Sequence, residues 1–599
     1  MNNDYTHALD YHEKTKHSQI SILYSRHYLD WENRPNPFKV YVDLKSILLP
    51  DSFPVPSMNA VKAIAAVNNN NNINNKEGDI KFLDKDTSID DSNYADINRI
   101  KSFRLTDLAS ILFFTCGITR HIKFNSTDYY MRAASATGAL YPIEAYVVNG
   151  DINKNDLDAG VYHFNPGSFS LTAIRKGDYR KVLASYSANN STTMHSPVSL
   201  VFTSNSWRNA WKYQSRSYRH WFWDCGVILA NLLAVCKSFG LKTKLLMGFI
   251  DDEVNKLLGL EYHEEAAIIV ASLYASSYLK RGVTNSKSTM GNGCEPTNEY
   301  GNEKSDGSII QQVDNLKQKV YPLSLSKVFY PDIWKAYDTS KLQNNSQVVS
   351  WISKTNLIID SSSKSNNSNI KKRVLKKYPI ETNFIDLEIP TIGKVILKRG
   401  SSRRFSRGAV SLKTLCNILT SSMGVEGKGN LPMDYNLGQL GLVDLYFIAN
   451  NIDGLQKGGY YFNATENTLD FLSDIPYADF SGHLCLDQPL FADASAVIFL
   501  MVDLKKILRV LGNRGYRVVQ MESGIIAGKL YLLSYTFGIG ASGSTFYDDE
   551  VTDFFSYHDG PKSTMIAIGI GTPPYQSKSG TVLPLRLTNE QMYAESKTL

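Results

Sequence analysis

Residues 215–241, SRSYRHWFWDCGVILANLLAVCKSFGL, reappear in altered form at 513–539 as NRGYRVVQMESGIIAGKLYLLSYTFGI. Arg216 matches Arg514, Tyr218 matches Tyr516, Asp224 faces Glu522 and Gly226 matches Gly524, all at one offset (514 − 216 = 298). An ungapped match at a constant offset points to an internal repeat, which decides the fold before any single element is assigned. The register extends outward. GVYHFNP from Gly160 matches GGYYFNA from Gly458 at the same offset, and GFIDDEV from Gly248 matches TFYDDEV from Thr545 one residue closer. The chain therefore holds two homologous units of about 220 to 270 residues, the size of ordinary domains.

Composition marks the boundaries. Residues 1–275 form the first unit, interrupted by an Asn-rich insertion at 68–76. Residues 276–320 have the Ser-, Asn-, Gly- and Lys-rich composition of a linker. Residues 321–599 form the second unit, whose core starts near 380 after another polar stretch, Ser361–Lys372. Of the 599 residues 43% are hydrophobic and 20% charged, which is a globular composition. The net charge of +6 is dispersed, with no basic block interleaved with aromatics, so nucleic acid is excluded as the expected partner. Six cysteines without a Cys-x-x-Cys pair read as reduced thiols. The N-terminal MNNDYTHALDYHEKTKHS has no apolar run behind a basic start, and the expected location is the cytoplasm. The most apolar stretch, Val227–Cys236, is far shorter than the roughly 20 residues that span a bilayer, so no membrane partner is expected.

Apolar spacing predicts a helix over Thr106–Cys116, short strands at Ile143–Val148 and Ser199–Thr203, and a central helix over Tyr218–Phe239 closed by Gly240. A β-rich run, Ala267–Leu273, ends the unit and is matched by Met565–Gly569. The expected class is α+β.

Three motifs carry chemistry. RAASATGALYPIEAYVV, from Arg132, contains a small-residue turn before a strand; LKRGSSRRF, from Leu397, is a basic turn before a helix near Ser411; Lys212–Tyr213 lies just ahead of Arg216 and Arg219 at helical spacing. Each also has a bland reading, as an ordinary loop, a solvated basic turn or a wet cationic helix face. Asp224 and Glu522, inside apolar helices, read as structural acids bonded to Arg219 or to backbone amides. No helical histidine pair suggests a metal site, and no nicotinamide-binding glycine fingerprint is present.

With GVYHFNP, YHEKTKHS and LDWENRPNPF, these motifs resemble the SagB-type dehydrogenases, azoline oxidases of the nitroreductase superfamily. The resemblance implies two tandem nitroreductase-like, FMN-dependent domains forming an intrachain pseudo-dimer that can stay monomeric. It places Ser135, Ala136, Thr137 and Gly138 at the turn against the flavin ring, and Arg399, Ser401 and Arg403 at the phosphate arm. Ser544 and Thr545 line the ring's other edge, and Lys212 and Tyr213 are the catalytic pair. A dehydrogenase needs a base beside the ring, because a proton leaves one carbon as hydride leaves its neighbour. The first unit lacks an arm near IKSFRLTDL; in the second, NLGQLGL replaces the turn and Val510–Leu511 replaces Lys–Tyr. The expectation is one complete composite site, acting on a small molecule or modified peptide. An NAD(P)H-dependent nitro or quinone reductase and a non-catalytic scaffold or peptide-binding subunit are the alternatives.

Overall fold

A computed structural model describes residues 2, 4–65, 103–124, 127–152, 156–275, 313–354, 373–382, 388–424, 431–435 and 442–594. The Asn-rich insertion, the linker from 276 to 312, the stretch 361–372 and most of NLGQLGL lie outside the described residues. Two seven-stranded antiparallel sheets share one strand order. In the first the order is Ser46–Leu48, Ser170–Lys176, Gly160–Asn165, Ile143–Asn149, Val198–Asn205, Glu265–Tyr274, Lys242–Leu246. The second runs Lys376–Pro379, Thr468–Ser473, Gly458–Asn463, Asp444–Ala449, Ala496–Val502, Ser563–Gly571, Gly540–Ser544. This is the α+β pair of like domains that the repeat predicts, and the predicted strands fall within observed ones.

Five helices frame the site and the contact between the halves: α1 (Thr6–Lys14), α2 (Ser206–Tyr213), α3 (Ser217–Ser238), α4 (Pro331–Thr339) and α5 (Arg514–Thr536). Helices α3 and α5 are the two copies of the repeated segment. They are apolar on most faces because each packs on its own sheet and on the other helix. Their backbones meet at the repeat's glycine: a Cβ on Gly226 would lie 2.5 Å from the carbonyl carbon of Gly524, and one on Gly524 2.8 Å from the carbonyl oxygen of Phe222. One apolar core therefore runs through both halves, with a smaller cluster on the outer face of each sheet. The stretch Ser206–Ser238 is long and apolar enough to cross a membrane, but 83% of its apolar window is buried inside the fold.

The repeated arginines cross between the halves. Arg216 and Arg219 pair with Asp548 at 3.0 and 2.8 Å; Arg514 and Arg517 pair with Asp251 at 2.7 and 2.6 Å. All six side chains are buried. The surrounding bonds match as well. Arg219 donates to the His12 carbonyl (2.8 Å) and Thr15 Oγ1 (2.9 Å), as Arg517 donates to the Tyr337 carbonyl (2.9 Å) and Ser340 Oγ (2.8 Å). The amide of His17 donates to Asp548, and that of Leu342 to Asp251. By these bonds α4 is the counterpart of α1, well ahead of residue 380, where the sequence places the start of the second core. Asp224 is not the partner of Arg219: Asp548 takes that arginine.

Candidate active site

Helix α2 ends at Tyr213 because Gln214 adopts a left-handed φ of 49°, and α3 starts afresh at Ser217. The break turns Arg216 and Arg219 inward to Asp548, so they are not the neighbours of Lys212 that helical spacing predicts. Lys212 instead lies near Arg403 of the second half and Arg34. Loss of hydration, then these two cations, lower its pKa. Tyr213 moves the other way, pushed up by burial and by Asp224.

The turn sits beside this pair. Gly138 has φ of 62°, and a Cβ there would lie 2.7 Å from the Tyr213 hydroxyl, so only glycine lets the phenol approach. Ser135 and Ala136 are half-buried and line a small cavity with Arg132, Cys116 and Asp224. Thr137 is held by Asp224, to which it donates from its amide at 2.8 Å and its hydroxyl at 2.6 Å. Asn209 donates to the other carboxylate oxygen at 3.1 Å. Asp224 thus bonds a backbone amide, and burial raises its pKa to about 6.

The second half supplies the arm. Arg399 spends its donors on the turn, with Nε on the Ala133 carbonyl and Nη2 on the Arg132 carbonyl, both at 3.0 Å. It joins arm to turn. Arg403 is exposed, and its amide donates to the Tyr575 hydroxyl at 2.8 Å. Ser401 bonds to Tyr531, whose hydroxyl accepts from the Gly543 amide at 2.5 Å. Beyond Gly543, Ser544 Oγ donates to the Thr545 carbonyl and accepts from Gln488. Thr545 Oγ1 and Ser402 Oγ are buried without a hydrogen-bond partner.

Every sequence-predicted residue therefore lies on one of the segments that converge here: the turn and α2 from one half, the arm and the Gly540–Ser544 strand end from the other. Sequence reasoning missed Arg34, Asn209 and Tyr531. Arg34 lies inside LDWENRPNPF, where the resemblance could have marked it; Asn209 and Tyr531 act through contacts distant in sequence.

The opposite pairing is built differently. Asp434 accepts from the amides of Met247 (2.9 Å) and Gly248 (2.7 Å), the positions that match Ser544 and Thr545. Tyr435 donates to Glu522 at 2.6 Å, and burial raises that carboxyl to about 7. Where the first half has Tyr213, Leu511 gives its carbonyl to Trp351. A Cβ on Gly248 would lie 3.0 Å from both Ile352 and Asp434. The counterpart of the arm should follow Ala60–Ile64, which pairs with Ile392–Lys398 through a bridge between Asn59 and Thr391, rather than lie in IKSFRLTDL. The residues after Ala65 are outside the described ones.

Residues 104–272 match the profile described as the Nitroreductase family. The chain carries a nitroreductase-family domain. Its fold continues through the second half, since the whole chain resembles a protein described as a nitroreductase from Anabaena variabilis. That likeness has a TM-score of 0.66 and 22% identity, and covers 95% of this chain and 99% of the other. A protein named as a nitroreductase in Methanocaldococcus jannaschii is 25% identical over 183 residues, 30% of this chain and 92% of that protein. The microcin B17-processing protein of Escherichia coli is 30% identical over 136 residues, 22% of this chain. The match spans only 50% of that processing protein. The nitroreductase-family domain thus contains the turn, Lys212 and Tyr213, while the arm comes from the second half.

Proposed function

We propose that the chain is an FMN-dependent dehydrogenase of the SagB type, oxidising an azoline-like ring in a modified peptide at one composite site. The observation that carries this reading is the contact of Tyr213 with the Gly138 turn, with Lys212 next to it in the chain and Arg403 of the other half close enough to act electrostatically on both. The residues suit FMN. Arg403 has no carboxylate within ion-pair distance among the described residues, so its charge is available to a phosphate dianion. Next to Arg403, the buried Ser402 hydroxyl has no hydrogen-bond partner among the described residues. Arg403 and Ser401 would hold the phosphate, with Arg399 fixing the arm to the turn. When bound, FMN supplies the acceptor for a hydride. Lys212, with its pKa lowered, takes the proton from the carbon next to the one that loses hydride. Tyr213, with its pKa raised, stays protonated and donates a hydrogen bond to the substrate. The processing role named for the Escherichia coli relative supports a peptide substrate.

FMN stoichiometry by visible absorbance tests the reading. One FMN per chain is expected. Arg403→Ala should weaken FMN binding about tenfold or more. Lys212→Ala should keep flavin and lose turnover by about 10²- to 10⁴-fold. Two FMN bound per chain with equal affinity, or a colourless protein that takes up none, would overturn it.

A further inference from the structure

Next to the turn lies a shallow groove open to solvent. One wall is the Arg34–Pro37 segment, the other the strand Thr127–Arg132, and Ala139 and Tyr141 form the end nearest the turn. We infer that this groove is a substrate subsite for a flat ring bearing a carboxylate, an aromatic or azole acid, held between Pro35, Pro37 and Tyr129 with its charge on Arg34.

Three observations converge on this. The lining is rich in proline and tyrosine, rigid rings against which a planar group packs at little entropic cost. The Arg34 guanidinium lies 5.8 Å from the centroid of the Tyr129 ring and has no hydrogen-bond or ion-pair partner among the described residues, so a cation is held over the slot with its donors unspent. The other ionisable group on the groove, Asp128, has His121 as its hydrogen-bond partner at 2.5 Å.

The inference rests on the proposed reaction for the use of the groove, but not for the binding itself.

Calorimetric titration of the full chain with FMN added tests it, using benzoate, thiazole-4-carboxylate and cyclohexanecarboxylate as probes. The two planar acids should bind at one site per chain, and the non-planar acid about tenfold more weakly or worse. Arg34→Ala and Tyr129→Leu should each weaken the planar acids by about tenfold, with unchanged FMN content and melting temperature. Arg34→Lys, which keeps charge but not the planar fork, should fall between. The subsite is overturned if the wild type binds neither planar acid, if cyclohexanecarboxylate binds equally well, or if both Arg34→Ala and Tyr129→Leu bind as the wild type does. A protein that binds the planar acids but takes up no FMN would keep the subsite and remove the flavin reading.

Discussion

The two arginine clamps and the two composite sites started as duplicates, and only the clamps remain so. Arg216, Arg219 and Asp548 reproduce Arg514, Arg517 and Asp251 down to the amides and carbonyls around them. At the sites, Tyr213 faces Leu511, Lys212 faces Val510, and a carboxylate from Asp434 takes the amides that match Ser544 and Thr545. On the proposed reading, the difference separates what the fold needs twice from what chemistry needs once. A buried arginine without its acid is a standing penalty wherever it occurs, so both clamps are held. A second substrate site carries no such penalty when lost, and its space can be filled by the chain.

The clamps give the sharpest test of their equivalence. Asp548→Ala and Asp251→Ala each strand two buried guanidinium groups, and each should cost about 3–5 kcal/mol in denaturant unfolding. Costs that differ by more than a factor of two would break the symmetry inferred from the bonds. Both aspartates have depressed pKa values, held down by their arginines against the opposing effect of burial. Their stabilisation is therefore present above the unfolded value near 3.8 and lost as pH falls below it.

The matched acids inside α3 and α5 act in the opposite sense. Glu522 rises from 4.5 to about 7 and Asp224 from 3.8 to about 6, in each case through burial. A raised carboxyl contributes fully below its unfolded pKa and loses that contribution as pH climbs through the folded one. Glu522→Gln, which keeps an oxygen for Tyr435, should raise stability at pH 8 by about 2–3 kcal/mol and leave it unchanged at pH 4. A gain that is equal at the two pH values would show that the carboxyl is not the cause. Least in size is the entry to the Leu412–Met423 helix, where Ser411 accepts from the Thr414 amide at 3.1 Å. Ser411→Ala should lower the melting temperature by the equivalent of about 1 kcal/mol. The matching helix, Leu105–Cys116, uses Arg104 with Asp107 instead, a surface pair whose loss in Asp107→Ala should cost about 1 kcal/mol or less.

The repeat, the strands and the central helices were legible because burial imposes apolar runs that survive divergence at one offset. What stayed hidden shares a cause. The kinship of α1 and α4 rests on the carbonyls of His12 and Tyr337 and the amides of His17 and Leu342, groups that every sequence provides. The helix break at Gln214 gives no glycine or proline warning, so helical spacing puts Arg216 and Arg219 on the face of Lys212 when the chain turns them away. The Asp434 carboxylate reaches amides nearly two hundred residues away, which local pattern cannot show. The turn, the arm and Lys212–Tyr213 were legible as motifs, but their meeting across the halves, and Arg399's use as a strut, required coordinates.

Because each clamp takes its arginines from one half and its acid from the other, synthesis order matters. As the chain is made, Arg216 and Arg219 emerge more than three hundred residues before Asp548. Until then the α3 surface that will meet α5 stays uncovered, with two cations still unpaired. Such long-range closure is slow, and it leaves the nascent first half as a client for chaperones. Once closed, each clamp joins residues of one chain, so dilution cannot separate its arginines from their acid.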